Sequence, residues 1–160
     1  MKYDFVNELG YMALATRLKR ISEAMAHSGR QMYRELDMDI EPNWFLVFRL
    51  LTKFEELSVT EIAKKLHFSH PSVITMISKM ENKGYLQSRG DKEDNRKKIF
   101  KLTKKSIDCL PHFEKVWTAG TLGVANLFTD GDAFLQQLES LEIQLSQADF
   151  MTRTLNELQK

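Results

Sequence analysis

Residues 57–89 read LSVTEIAKKLHFSHPSVITMISKMENKGYLQSR, and the order of elements in the chain follows from them. Ser58 followed three residues later by Glu61 is a capping box, in which each side chain satisfies the other residue's backbone N–H. A short helix therefore starts at Ser58 and ends near His67. Ser69 is placed to cap a second helix, with Pro71 in its first turn, where a missing N–H costs nothing. Val73, Met76, Ile77 and Met80 recur at helical spacing and predict its buried side. Lys83 and Gly84 mark its end, the glycine taking the left-handed position just past the last turn.

Outward from there, YLQSR (85–89) and KIFKLT (98–103) have strand character and flank a charged connection, which predicts a hairpin with a long loop. In RGDKEDNRKKIFKLT (89–103) the acids come first, at Asp91, Glu93 and Asp94, and the bases follow, at Arg96, Lys97, Lys98 and Lys101. Two short helices joined by a tight turn and followed by a hairpin with a charged tip predict a winged helix-turn-helix. The second helix of such a unit enters the DNA major groove. Its outer side would carry Ser72, Thr75, Ser78 and Lys79, with Ser69 and His70 at its N-terminus. Such groups reach base edges or phosphates, at a helix end that itself attracts phosphate. A merely solvated face would more often carry Glu and Lys, but the polar side alone is a weak signal. In the loop, Arg96 is suited to a narrow minor groove, where the potential is most negative. Asp94 could brace it, with Lys97 and Lys98 near phosphates. The competing view of the same charges is an ordinary solvated turn.

The charge distribution favours the first view. From Ser58 to Lys105 there are twelve Lys/Arg against five Asp/Glu, a net of +7, while the rest of the chain carries eleven against seventeen, a net of −6. A basic centre between acidic flanks suits a module that binds a polyanion. The 160 residues, 42% of them hydrophobic, suffice for one core with extended arms. Cys109 is the only cysteine, so no intrachain disulfide forms, as in a reducing cytosol. No signal-peptide core and no run long enough to span a bilayer is visible, which predicts a soluble, cytoplasmic protein with no membrane partner.

The flanks read as helices. Between Asp4 and Leu36, a stripe of Leu14, Leu18, Ile21, Met25, Met32 and Leu36 is accompanied by an offset one of Phe5, Leu9 and Met12, with Gly10 and Gly29 as weak points. A helix begins near Pro42 and buries Trp44, Val47, Phe48 and Leu51. From Thr103 the chain is helical again, with Leu110, Phe113, Trp117, Leu127 and Phe128 as apolar bulk. Pro111 should kink that helix or mark its start. Phe134, Leu138, Leu141 and Leu145 form a last stripe, and 150–158 a weaker terminal piece. The predicted fold is mainly α with a small β-hairpin wing. A winged helix-turn-helix lobe spans 43–103, and the helical regions 1–42 and 104–160 serve dimerisation.

From Trp44 to Ser106 the sequence resembles the DNA-binding core of the MarR family of bacterial transcriptional regulators. Helix-turn-helix, glycine cap, wing tip and following strand fall in register, and Asp94–Asn95–Arg96 before KKIFKLT resembles the family's Asp-x-Arg wing signature. The resemblance implies a homodimer joined through N- and C-terminal helices on pseudo-palindromic operator DNA. It also implies a small, often aromatic or acidic, effector held between the dimerisation helices and the DNA-binding lobe. Met25, Tyr33, Trp44, Phe48 and Trp117 are candidates to line that pocket, although each is singly more typical of core. The chain departs from family usage in a recognition helix poor in arginine, with only Lys79 along its middle. It also departs in lacking a cysteine in the first helix, which argues against thiol sensing.

Two other functions compete. A metal sensor or metalloenzyme would use His27, His67, His70 and His112, but these lack an HExxH pattern or any i, i+4 pairing with carboxylates. A winged-helix protein-interaction module without DNA binding fits poorly with Arg96 and the +7 segment. No nucleophile elbow or phosphate-binding glycine loop is present, so neither an enzyme nor a cofactor is expected.

Overall fold

The computed structural model describes residues 4–90 and 97–160. The wing-tip residues Asp94 and Arg96 therefore lie outside the described residues. The chain divides into two compact units, Met1–Cys109 and Leu110–Lys160.

The first unit is built on the quoted stretch. Helix α4 (Val59–Leu66) opens with the capping box: the Ser58 N–H donates to the Glu61 carboxylate at 2.8 Å, and the Glu61 N–H donates to the Ser58 hydroxyl at 3.3 Å. It closes on His67, whose φ of 52° is left-handed, with the Phe68 N–H reaching back to the Ala63 carbonyl at 3.1 Å. Helix α5 (His70–Asn82) is capped by Ser69 and buries Val73, Met76, Ile77 and Met80. Gly84, at φ +75°, turns the chain out of α5. Its N–H donates to Glu81 at 2.8 Å and the Tyr85 N–H to Met80 at 2.9 Å, the two bonds of a Schellman end.

Strands β2 (Leu86–Gly90) and β3 (Lys98–Leu102) form the expected hairpin arms, with Ser88 opposite Phe100. A third strand, β1 (Glu56–Ser58), pairs antiparallel with β3 and places Leu57 opposite Phe100. The sequence reading contained no β1, because three residues leading into a helix cap show no period of their own. Leu57, Leu86 and Phe100 are all buried, so the sheet is apolar on one face.

The N-terminal arm departs from a single helix. Gly10, at φ +53°, separates a short α1 (Phe5–Glu8) from a 3₁₀ turn (Gly10–Ala13) and the long α2 (Leu14–Glu35). Gly29 leaves α2 intact and serves another purpose: a Cβ there would meet Pro42 Cγ at 3.3 Å, so glycine lets α2 approach the following turn closely. Pro42 lies in that turn, and α3 (Phe45–Phe54) starts three residues after it.

One cluster ties these elements together. The Tyr85 hydroxyl donates to Asp39 Oδ1, on the loop after α2. Lys83 Nζ and Lys105 Nζ stand 3.5 and 3.6 Å from Asp39 Oδ2. The Lys105 ammonium lies 4.0 Å from the centre of the Tyr85 ring, and the rings of Trp44 and Phe48 meet Tyr85 edge-on at 6.0 and 5.5 Å. Ser106, at the start of α6 (Lys104–Ala125), donates its hydroxyl to the Tyr85 carbonyl, and Thr103 donates to the Gly84 carbonyl at 2.7 Å. Burial pushes the Tyr85 hydroxyl far above its usual range, with the Asp39 carboxylate adding to it.

In the second unit, Pro111 stands inside α6 rather than at its start. Phe113 and Trp117 are buried there with ring centres 5.7 Å apart. Asp130 and Asp149 cap α7 (Gly131–Gln147) and α8 (Phe150–Leu158) through the N–H groups of Ala133 and Thr152. Among the described residues no helix is long and apolar enough to cross a membrane.

The Asp39 cluster gives a pH-dependent prediction. Burial works against the Asp39 charge, but the Tyr85 hydroxyl, Lys105 and Lys83 outweigh it and hold the carboxyl below its usual 3.8. A depressed carboxyl contributes stability that is complete above the unfolded value and is lost as pH falls through the folded one. Asp39→Asn is therefore expected to destabilise by roughly 1 kcal/mol at pH 7, the scale of a half-exposed hydrogen-bonded ion cluster. Denaturation midpoints followed from pH 7 to pH 3 should converge with wild type at the acid end. An offset independent of pH would contradict the ionic account.

Candidate nucleic-acid interface

Helix α5 turns one side to the core and the other outward. Ser69, His70, Ser72, Thr75, Ser78 and Lys79 are all exposed, as the sequence spacing anticipated. Several are engaged locally. The hydroxyls of Ser69 and Ser72 are 2.7 Å apart, and the Thr75 hydroxyl donates to the Pro71 carbonyl at 3.0 Å. His70 Nε2 lies 3.5 Å from the Thr60 hydroxyl, which links the start of α5 to α4. These bonds hold the polar groups at the positive end of the α5 dipole.

The basic segment is less uniform than its net charge suggests. Lys83 and Lys105 are committed to Asp39, and Lys104 to Asp108 at 3.3 Å. Arg89 and Lys101 both approach Glu56, at 2.5 and 3.9 Å, across the exposed face of the sheet. Lys65 lies over the Phe54 ring at 3.8 Å. Lys79, Lys97 and Lys98 are exposed around α5 and at the base of the wing. Among the described residues, part of the positive charge is thus taken up in ion pairs with acids, while Lys79, Lys97 and Lys98 stand exposed at one edge.

Clefts flank α5 on both sides. One of about 440 Å³ lies between α5 and the sheet, lined by Thr60, His70, Ile74, Ser78, Lys97 and Lys98 among others. On the other side two clefts of about 420 Å³ each lie between α2 and α5, and both are lined by Arg30, Glu41, Trp44 and Lys79. Tyr33 and Arg34 line the first of these, Ser72 and Thr75 the second. Of the side chains expected in an effector pocket, Tyr33 and Trp44 thus share a cleft. Phe48 is wholly buried, Met25 is exposed on α2, and Trp117 belongs to the second unit. Neither Met25 nor Phe48 is among the residues lining the clefts. The sequence reading missed Arg30, whose only signal was its i, i+4 spacing with Arg34 beside Tyr33, and Ile74, which it placed neither in the buried stripe nor on the outer side. Among the described residues no three His, Cys, Asp or Glu side chains gather where they could hold a metal ion.

The helix pair, its polar outer side and the strand that follows coincide with a known pattern: residues 40–98 match the model of the MarR family. No match to the sequence is found among the curated proteins. Solved structures extend the likeness to most of the chain. The MepR–DNA complex of S. aureus matches with a TM-score of 0.68 at 19% identity, over 82% of this chain and 96% of that one. A MarR protein from Peptoclostridium difficile gives 0.70 at 18%, over 94% and 95%. Reduced AbfR bound to DNA gives 0.68 at 22%, over 85% and 94%. At these identities the likeness is one of fold, and it includes the helical flanks outside residues 40–98.

Proposed function

We propose that this protein is a homodimeric, sequence-specific DNA-binding regulator of transcription, controlled by a small organic anion. The observation that carries it is the exposed polar side of α5, flanked by Lys97 and Lys98, within the segment that matches the MarR-family model. Two proteins of the same fold, MepR and AbfR, were solved with DNA. In this account α5 lies in the major groove with its N-terminus toward phosphate, and Arg96 enters the minor groove, braced by Asp94. Homodimerisation is supported by the large apolar side chains that the flanks leave exposed, including Leu14, Leu18, Ile21 and Met25 on α2 and Phe134 and Leu145 on α7. Covering several of these at about 1.5–3 kcal/mol each would exceed the cost of association.

The clefts between α2 and α5 suit the effector. Trp44 and Tyr33 offer aromatic wall, and Arg30 with Lys79 offers positive charge from two helices. Because Lys79 stands on α5, an anion held there acts on the helix that would contact DNA. A panel of aromatic acids is expected to contain members that change tryptophan fluorescence and operator affinity together, and Arg30→Ala should abolish both responses. A panel without effect on either would remove this ligand class and leave the DNA claim standing.

The wing is the sharper test. With a duplex selected by the wild-type protein from a random pool, Arg96→Ala should weaken binding by on the order of tenfold or more, since a cation and a groove fit are lost in each subunit. Asp94→Ala removes negative charge, so simple electrostatics predicts tighter binding. A braced wing predicts weaker binding instead. Titrations at fixed salt, with folding checked by circular dichroism, decide the sign. Tighter binding by folded Asp94→Ala would make the loop an ordinary solvated turn.

A further inference from the structure

Helix α5 carries one large aliphatic side chain on its exposed side. Val73, Met76, Ile77 and Met80 are buried almost completely, whereas Ile74 is 45% exposed. It stands one turn after His70 and one turn before Ser78, and all three line the cleft that also holds Lys98. Core packing does not account for it, since α5 completes its apolar side without it. Helix propensity does not favour it either, because a β-branched residue at an exposed helical position is worse than Leu, Lys or Glu.

We infer that Ile74 reads the C5-methyl group of a thymine in each operator half-site. This rests on the DNA-binding function proposed above and names one base type within that site. A thymine methyl is the one apolar group that a base pair presents in the major groove. Isoleucine makes no hydrogen bond, so set against a cytosine amino group or a guanine oxygen it would strip water from a polar atom without replacing it. Its branched Cβ restricts it to few rotamers, and it presents a fixed apolar surface at little entropic cost. Ser78 and His70, on either side of it, remain able to hydrogen-bond neighbouring base edges or phosphates. Specificity at this point therefore comes from an apolar contact, which fits an α5 without arginine.

The test uses the full-length protein and the duplex it selects from a random pool, with each thymine replaced in turn by deoxyuridine, which lacks only the methyl. One thymine per half-site should lose roughly fourfold in affinity on replacement, the worth of about one buried methyl-sized group, and on the order of tenfold when both half-sites are changed. Ile74→Ala, at an exposed position where alanine favours the helix, should remain folded and bind the thymine and deoxyuridine duplexes equally. Tight wild-type binding with no methyl-sensitive thymine would overturn the inference alone, as would methyl sensitivity that persists in Ile74→Ala. A wild-type protein that selects no duplex would overturn both this inference and the DNA-binding function.

Discussion

The hydrogen bond from Tyr85 to Asp39, with two lysines closed around it, is the interaction on which the arrangement of the first unit depends. Gly84 ends α5 and, by taking a left-handed conformation, delivers Tyr85 to the core at the point where α5 gives way to β2. The ring then meets α3 through Trp44 and Phe48, the hydroxyl meets the loop after α2, and the carbonyl meets the first turn of α6. One residue thereby registers three segments against the C-terminal end of the helix proposed to enter DNA. A half-exposed ion cluster adds little stability by itself. Its value here is positional, since edge-to-face rings and a directional hydrogen bond both fail if α5 shifts.

The same residues connect the two sides of α5. Lys83 belongs to the Asp39 cluster and also lines the cleft between α2 and α5, together with Asp39 itself. Lys79, one turn earlier, lines that cleft and is exposed beside Thr75 and Ser78. An anion held by Arg30 and Lys79 would therefore alter charge at the face proposed to meet DNA and at the tie that orients it. Binding energy would pass into the position of α5 through contacts a few residues long, with no separate relay. Gly29, where a Cβ would meet Pro42 Cγ at 3.3 Å, lets α2 approach the turn that leads into α3 closely.

Much of this was legible in the sequence because it rests on local chemistry. The Ser58–Glu61 box, the Ser69 cap, Pro71 and Gly84 each act within one helical turn, so spacing alone located α4 and α5. The outer residues of α5 followed from the buried stripe Val73, Met76, Ile77 and Met80. What spacing could not show is set by partners distant in the chain. Asp39 and Tyr85 are 46 residues apart, and neither carries a local mark of the other. Which of the described basic residues are tied to acids depends on where Asp39, Glu56 and Asp108 fall. Arg30 comes to share a cleft with Lys79 only because α5 lies opposite it. Strand β1 escaped because three residues have no period, and Gly10 read as a weak point within a helix where it in fact separates two elements.

The central claim is that two copies of this chain present paired α5 helices to one face of a DNA duplex. The most direct measurement is a footprint of the purified protein on DNA fragments from its own genome. The account predicts protection of a two-fold-symmetric site whose half-sites lie one turn of B-DNA apart, about 34–36 Å between centres. Protection of an isolated half-site with no symmetric partner, or no protected sequence at all, would contradict it.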